Sequence, residues 1–344
     1  MLQKMLGKRK LPEFKTREEM LEIMQKEVYG YLPKAPESIS FEVKKDFVYR
    51  FCADKATLDK VDITVKVSGG KEFTFPIYVA IPKKEGKHPF FIHINFRDAV
   101  PDRYMPTEEI IDAGCAVISF CYKDVTDDDE DFTNGLAGVL YENGERPEDG
   151  AGKIAMWAWA AHRAMDYAET LDSLDMTKAT VCGHSRLGKT ALFTAATDER
   201  FKFVYSNDSG CTGAAISRDK EGETVEKICT RFPYWFCKNY QKYREKEHEM
   251  PFDQHYLTAC IAPRFLCVGS AIEDVWADPI SEQLNCVATS KYYENMGLKG
   301  FICDKAATPG DKFIEGNIGY HLRLGTHYFS RDDWHVLIEF VKSK

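Results

Sequence analysis

The sequence predicts an α/β protein: a three-layer sandwich whose central sheet is mostly parallel and is preceded by antiparallel strands. Apolar residues take alternate positions over residues 61–67 and 73–79, the period of half-buried antiparallel strands. From residue 89 onward, short continuous apolar runs alternate with helical stretches. Runs of this kind are typical of parallel strands buried on both faces by helices.

Individual elements follow from the same patterns. The parallel strands are predicted at five apolar runs, residues 90–94, 116–120, 179–182, 203–205 and 264–268. Helices are predicted at residues 17–28, 153–171, 189–197 and 332–341. We expect one domain over residues 1–344, with residues 1–40 as a helical extension packed on it.

Composition excludes several classes of protein. The 46 basic and 54 acidic side chains give a formal net charge of −8, and no basic run marks a nucleic-acid surface. No stretch of about 18 apolar residues predicts a membrane span. The eleven cysteines form no metal-ligand spacing, and residues 1–14 lack the apolar stretch of a secretory signal, so we expect a cytoplasmic protein. The acidic run at 127–131 lacks EF-hand spacing and is interpreted as a solvated loop.

A candidate nucleophile lies where a predicted strand passes into a predicted helix. Residues 181–190 read Val-Cys-Gly-His-Ser-Arg-Leu-Gly-Lys-Thr, with Gly183 two positions before Ser185. A sharp turn of this kind exposes a serine hydroxyl above the sheet in the α/β-hydrolase fold. The second glycine, Gly188, comes three residues after the serine instead of two. The alternative is a glycine-flanked turn in which Ser185 caps the helix.

Several acids could orient a catalytic histidine. In this fold the acid follows the nucleophile along the chain and the histidine comes last. Asp274 comes shortly after the strand at 264–268 and is ranked first, with Glu273 and Asp278 as neighbours. Asp278 precedes a proline and is also typical of a turn or helix start. Asp208 follows the strand after the nucleophile's, in a segment that also favours a turn.

The candidate general base is His327. It follows the last predicted strand and lies next to Gly325 on a predicted loop. His321 and His335 are rivals, but the first falls in the strand and the second in the closing helix. Residue types alone therefore predict a serine hydrolase that uses Ser185, His327 and an acid.

The segment Gly183–Lys189 also resembles the G-C-S-R-x-G-K signature of the glucuronoyl esterases, a family of carbohydrate esterases. Further matches follow in the same order and with similar spacing, nearer the bacterial members than the fungal. They are Tyr29–Pro33, Ala158–Ala160, Arg163–Tyr167, Ser206–Gly210, Ser217–Arg218, Gly222–Glu223, Asp274–Pro279, Gly319–His321 and Gly325–His327.

The resemblance implies a reaction and further site residues. It implies cleavage of the ester between 4-O-methylglucuronate of xylan and lignin alcohols, by acyl transfer that needs no cofactor or metal ion. It also implies that Arg186 stabilises the oxyanion and that Lys189, Glu223 and Trp276 contact the sugar. Each residue has an ordinary alternative: polar first-turn residues of a helix, a surface acid and a core tryptophan.

Two departures from the family pattern bear on the site. His184 replaces the cysteine beside the nucleophile, and Tyr328 follows His327, so the disulfide of fungal members cannot form. Fungal members use a Glu at the position of Asp208, whereas many bacterial members use the Asp that matches Asp274. This chain has both acids.

We therefore expect a serine carboxylic-ester hydrolase for small or oligosaccharide esters. A cytoplasmic location favours imported oligosaccharides or small uronate esters as substrates in xylan degradation. The alternatives are an acetyl xylan or acetyl-sugar esterase and a non-catalytic carbohydrate-binding relative.

Overall fold

The computed structural model describes residues 1–344 and contains one ten-stranded mixed sheet. The strands are β1 (Ser38–Lys44), β2 (Ala56–Lys66), β3 (Glu72–Pro82), β4 (His88–Asn95), β5 (Ala116–Cys121), β6 (Leu174–His184), β7 (Phe203–Asn207), β8 (Phe265–Ala271), β9 (Lys312–Phe313) and β10 (Ile318–Arg323). Their order across the sheet is β1-β2-β3-β5-β4-β6-β7-β8-β10-β9.

Ten α-helices accompany the sheet. They are α1 (Leu2–Lys8), α2 (Arg17–Met24), α3 (Thr107–Asp112), α4 (Gly135–Leu140), α5 (Lys153–Ala168), α6 (Arg186–Thr197), α7 (Val225–Arg231), α8 (His255–Ala259), α9 (Pro279–Asn295) and α10 (Arg331–Ser343). A π-helical turn, Gln25–Tyr29, continues α2. None of these helices combines the length and the apolar character needed to cross a membrane.

The predicted fold class is confirmed by the strand directions. β5, β4, β6, β7, β8 and β10 are parallel neighbours, whereas β1, β2 and β3 pair antiparallel. The alternating pattern of the early strands and the continuous apolar runs of the later ones therefore distinguished the two parts of the sheet correctly.

Helices cover both faces of the sheet. Along β4, Phe90 and Ile92 pack into a core on one face, while Phe91 packs into a second core on the other. Buried residues of α5, α6 and α9 belong to the first core. Buried residues of α3 and α10 belong to the second. Successive side chains of a strand point to opposite faces, so this division gives the three layers.

The amino-terminal residues lie against the same body. α1 contacts α9, and α2 contacts α8. Arg17 donates hydrogen bonds to the carbonyl oxygens of Cys260 (3.0 Å) and Ala196 (2.9 Å). Beyond α2, the buried Tyr29 stacks on Phe193 of α6, with ring centroids 4.4 Å apart. The extension thus supports the helix that begins at the candidate nucleophile.

All eleven cysteines are free thiols. Cys182 in β6 and Cys267 in β8 are fully buried in the second core. A thiol in such a position packs as a small apolar side chain.

The register of the parallel strands brings their carboxyl ends together. His184 pairs with Asn207, Asn207 with Gly269, and Gly269 with His321. Residues that follow β6, β7, β8 and β10 therefore emerge at one edge of the sheet. In open α/β sheets ligands bind at this edge.

A carboxyl group is buried beneath this edge. Glu282 of α9 accepts hydrogen bonds from the Ser270 hydroxyl of β8 (2.5 Å) and from the Gly210 amide (2.9 Å). Burial raises the pKa of Glu282 to about 7, although these two hydrogen bonds oppose the rise. The protonated form of Glu282 is therefore the better accommodated in the folded protein.

We expect Glu282 to make the folded state less stable as pH rises. The folded pKa of Glu282, about 7, lies above its ordinary value of 4.5. The stabilisation is therefore complete below pH 4.5 and is lost as the pH rises from 4.5 to above 7. The loss amounts to about 3 kcal/mol. Glu282→Gln should flatten this part of the pH dependence of the unfolding free energy, measured by urea denaturation. The control is Glu85→Gln at an exposed turn, and an unchanged slope in Glu282→Gln would contradict the assignment.

Candidate active site

Ser185 lies in a strained turn between β6 and α6. Its backbone has φ 59° and ψ −127°, and its side chain makes no capping hydrogen bond. The alternative that Ser185 serves as a helix cap is therefore wrong. A non-glycine residue in this conformation is costly, and such strain recurs where a strand-to-helix turn exposes a nucleophile.

The glycines around Ser185 are required by close backbone approach. A Cβ atom on Gly183 would lie 2.3 Å from the carbonyl oxygen of Leu187. A Cβ atom on Gly188 would lie 3.0 Å from both the Ser206 hydroxyl oxygen and the Ser209 Cβ atom. Gly188 therefore lets α6 pass close to the end of β7. This contact explains why the second glycine stands three residues after the serine.

A cavity of about 260 Å³ opens above the turn. The structure places seven of the predicted site residues in its wall: Ser185, Arg186, Lys189, Asp208, Glu223, Trp276 and His327. Asp274 lies behind the histidine. Three further lining residues with large side chains, Arg231, Phe232 and Trp235, were not predicted from the sequence. Phe232 and Trp235 stack with centroids 3.9 Å apart, and the aromatic cluster at 232–236 was the signal that could have indicated them.

Asp274 hydrogen-bonds the imidazole of His327. One carboxylate oxygen lies 2.6 Å from His327 Nδ1, and the other accepts a hydrogen bond from the Ala277 amide at 3.2 Å. Asp274 is buried, whereas 43% of the His327 side chain is exposed. A carboxylate at Nδ1 holds the proton there and leaves Nε2 free to act as a base towards the cavity.

Asp208 lies close to this pair but has other partners. Its oxygens accept hydrogen bonds from the Ala271 amide (2.8 Å) and from Arg323 (3.3 Å), and it makes no hydrogen bond to His327. Burial raises the pKa of Asp208 well above its usual range, nearby carboxylates add to the rise, and Arg323 opposes it. The geometry favours Asp274 as the orienting acid.

The two neighbouring acids have different positions. Asp278 caps α9 by accepting hydrogen bonds from the Ser281 amide (3.2 Å) and hydroxyl (2.5 Å). It is therefore the helix-starting residue that its place before Pro279 indicated. Glu273 is exposed.

The other two candidate histidines lie elsewhere. His321 is buried in β10, where its Nε2 lies 2.8 Å from the Tyr205 hydroxyl. His335 is on the surface of α10 and pairs with Glu109 at 2.9 Å. Neither lines the cavity.

Arg323, the last residue of β10, holds the loop that carries His327. Its guanidinium donates hydrogen bonds to the carbonyl oxygens of Leu324 (3.0 Å), Thr326 (3.1 Å) and Tyr328. Two buried carboxylates balance its charge, Asp333 at 2.7 Å and Asp208 at 3.3 Å. One side chain therefore fixes the backbone on both sides of the candidate base.

Aromatic contacts occupy the region where fungal members of the resembled family have a disulfide. The ring of His184 lies 4.4 Å from that of His327 and bonds Asn207 Oδ1 through Nδ1 at 2.7 Å. Burial, and to a lesser extent His327, lowers the pKa of His184 well below its usual range, which favours the neutral ring. Tyr328 donates a hydrogen bond to the Arg103 carbonyl at 2.6 Å, which ties the loop to a second segment.

The predicted sugar contacts form a connected polar cluster. The Lys189 ammonium is buried and donates to the carbonyl oxygens of Ser209 and Cys211, each at 2.6 Å, and to Glu223 at 3.3 Å. Glu223 also accepts a hydrogen bond from the Trp276 indole at 3.2 Å. Lys189 therefore has a partner for each of its three protons, and the half-exposed Trp276 forms the rim of the cavity.

The acidic run was interpreted incorrectly at one position. Asp127, Asp129, Glu130 and Asp131 are exposed, but only 7% of the Asp128 side chain is. Its carboxylate pairs with Arg186 beside the cavity. Five consecutive acidic positions are equivalent in the sequence, and only the path of the loop turns one of them inward.

The strand order and the strained serine turn are those of the α/β-hydrolase fold, and the cavity carries the side chains of a serine hydrolase. A family model described as glucuronyl esterase, fungi, matches residues 63–297. The chain belongs to the glucuronoyl esterase family, as the resemblance of its motifs predicted.

Individual relatives agree with this assignment. The chain is 43% identical over 236 residues to carbohydrate esterase MZ0003 from an unknown prokaryotic organism, covering 68% of this chain and 54% of that protein. It is 26% identical over 292 residues to the 4-O-methyl-glucuronoyl methylesterase of Podospora anserina, covering 81% and 55%. The solved glucuronoyl esterase from Solibacter usitatus superposes with a TM-score of 0.86 at 31% identity, over 96% of this chain and 92% of that one. The chain spans about half the length of these two curated relatives.

The two acids should differ sharply in their effect on ester hydrolysis. Asp274→Asn removes the carboxylate on Nδ1 and permits the wrong tautomer, so we expect kcat to fall roughly 10³- to 10⁴-fold. The matched variant Asp208→Asn should lose about 2 kcal/mol of stability, because it weakens a charged hydrogen bond to Arg323, while kcat falls less than tenfold. Steady-state kinetics and urea denaturation measure both effects, and the reverse ranking in kcat would make Asp208 the orienting acid.

Proposed function

We propose that this protein hydrolyses carboxylic esters of glucuronate, with 4-O-methylglucuronoyl esters as the favoured substrates. Membership of the glucuronoyl esterase family supports the reaction class. The observation that carries the proposal is the arrangement of His327, which hydrogen-bonds Asp274 at 2.6 Å and lines the same cavity as Ser185.

The proposed reaction is acyl transfer. His327 accepts the Ser185 proton through Nε2 as the serine oxygen attacks the ester carbonyl. The amides of Gly188 and Lys189 donate to the Ser185 carbonyl oxygen, which leaves those of Arg186 and Leu187 without an acceptor. These two amides and the Arg186 guanidinium can therefore stabilise the oxyanion. The C–O bond to the alcohol then breaks, and the alcohol leaves with the proton from His327. Water, deprotonated by His327, resolves the acyl-enzyme and releases the uronate.

The sugar is proposed to lie against Glu223 and Trp276. Glu223 retains acceptor positions beyond the two that Lys189 and Trp276 occupy, so it can accept hydrogen bonds from sugar hydroxyls. The indole of Trp276 provides an apolar face at the rim. Lys189 fixes Glu223 and the backbone of the neighbouring loop.

We also propose that the protein works in a reducing compartment, on small or imported oligosaccharide esters. The eleven free thiols support this proposal, because such thiols persist where disulfides do not form.

Ser185→Ala should abolish hydrolysis of methyl 4-O-methylglucuronate while the protein remains folded. The substitution removes only the hydroxyl, which makes no hydrogen bond within the protein, so the unfolding transition should move little. We expect kcat to fall by roughly 10⁴-fold or more. Retained turnover would remove Ser185 from the mechanism.

Substrate preference separates a uronate esterase from an acetyl esterase. We expect wild type to have a higher kcat/KM for methyl 4-O-methylglucuronate than for acetylated xylo-oligosaccharides. Trp276→Leu and Glu223→Gln each remove a proposed sugar contact and should each lower kcat/KM for the uronate ester about tenfold, which corresponds to about 1.4 kcal/mol. An exposed control, Glu221→Gln, should not. Preference for the acetyl ester, with no effect of either variant, would favour the acetyl esterase instead.

A further inference from the structure

The loop that contains the acidic run is folded around the buried ammonium group of Lys153. The Lys153 ammonium of α5 is buried and donates hydrogen bonds to the Thr126 hydroxyl (2.9 Å) and the Asp131 carbonyl (2.7 Å). The Trp157 indole donates to the Thr126 carbonyl at 3.2 Å. Because both ends of the run are anchored in this way, the backbone at Asp128 has a defined position.

The carboxylate of Asp128 joins three side chains beside the cavity. It accepts hydrogen bonds from the Trp235 indole (2.7 Å), from the Tyr122 hydroxyl (3.0 Å) and from Nη1 of Arg186. Trp235 and Arg186 both line the cavity. Asp128 does not, so any effect it has on substrate passes through these neighbours.

The Arg186 guanidinium bonds Asp128 through Nη1, but not all of its N–H groups have a partner in the protein. It lies 4.7 Å above the Trp235 ring and 5.6 Å from the Phe232 ring. Its Nε atom is buried and has no partner in the protein. A buried guanidinium N–H without an acceptor is costly. The Arg186 side chain as a whole is 24% exposed and lines the cavity, so it can present N–H groups other than the one bound to Asp128 to an anion there.

We propose that Asp128 is a positioning residue that fixes the Arg186 guanidinium so that its remaining N–H groups face the oxyanion formed at the ester carbonyl. This inference rests on the proposed function. A free arginine side chain samples many rotamers, and the salt bridge to Asp128 restricts them before substrate binds. Donors placed in advance stabilise developing charge without reorganisation.

A double-mutant cycle tests whether Asp128 acts through Arg186. Asp128→Asn keeps the shape and one acceptor for Trp235 but loses the charge that holds the guanidinium. We expect it to lower kcat about 10- to 100-fold with KM changed less than threefold. Arg186→Met should lower kcat roughly 10²- to 10³-fold, the range for loss of one oxyanion donor. The double variant should equal Arg186→Met alone, because the effects of coupled residues do not add.

A merely structural role would give a different pattern. Asp128→Asn would then lower kcat by the same factor in the Arg186→Met background as in wild type. That result, or full kcat in Asp128→Asn, would overturn the proposal. Glu130→Gln is the matched control, because Glu130 lies exposed in the same run and is not among the hydrogen-bond partners of the Asp128 carboxylate. This variant should keep wild-type kcat.

A second readout separates this inference from the proposed substrate. The rate at which a fluorophosphonate probe labels Ser185 depends on stabilisation of a phosphonyl oxygen at the same place, and requires no uronate ester. Labelling should be slower in Asp128→Asn than in wild type, and the double variant should be labelled no more slowly than Arg186→Met. This result would support positioning even if wild type did not hydrolyse glucuronate esters. An unchanged labelling rate in Asp128→Asn would overturn it even if such hydrolysis were observed.

Discussion

The candidate site depends on a single buried guanidinium at the end of β10. Arg323 hydrogen-bonds the backbone of the loop on both sides of His327, and Asp208 and Asp333 compensate its charge. A histidine on an unsupported loop would lose contact with Asp274, because loops have many accessible conformations and few internal bonds. These contacts tie the loop to the sheet edge, where His327 lies 2.6 Å from Asp274.

Two side chains, His327 and Arg186, line the cavity together with Ser185, and a different carboxylate contacts each of them. On one side Asp274 orients His327, and on the other Asp128 holds Arg186. Burying charges is expensive unless they are paired, so such an arrangement contributes little to stability. In the proposed reaction, its benefit is that the proton acceptor and the anion donors are in place before the ester binds.

Residues whose role follows from local chemistry could be predicted. Gly183 and Ser185 form a turn whose strain and close backbone approach involve only neighbouring positions. The seven residues 183–189 are therefore enough to predict this turn. The same holds for Asp278, since an acid before a proline at a helix start has a local function. Asp128, in contrast, is one of five adjacent acids. Its burial depends on the position of Lys153, Trp157 and Trp235, which lie far along the chain.

The sequence by itself determined the fold class, the family and seven of the residues that line the site, because hydrophobic periodicity and motif spacing can be read directly from the order of the residues. Only the tertiary structure distinguishes Asp274 from Asp208, since both follow parallel strands at the same edge and differ in which partner their oxygens reach: His327 for Asp274 and Arg323 for Asp208. It also places the Lys189 ammonium 3.3 Å from Glu223 and turns the Asp128 side chain inward. A carboxylate or an ammonium acquires its role from the groups within about 3 Å of it, and those groups come from distant parts of the chain.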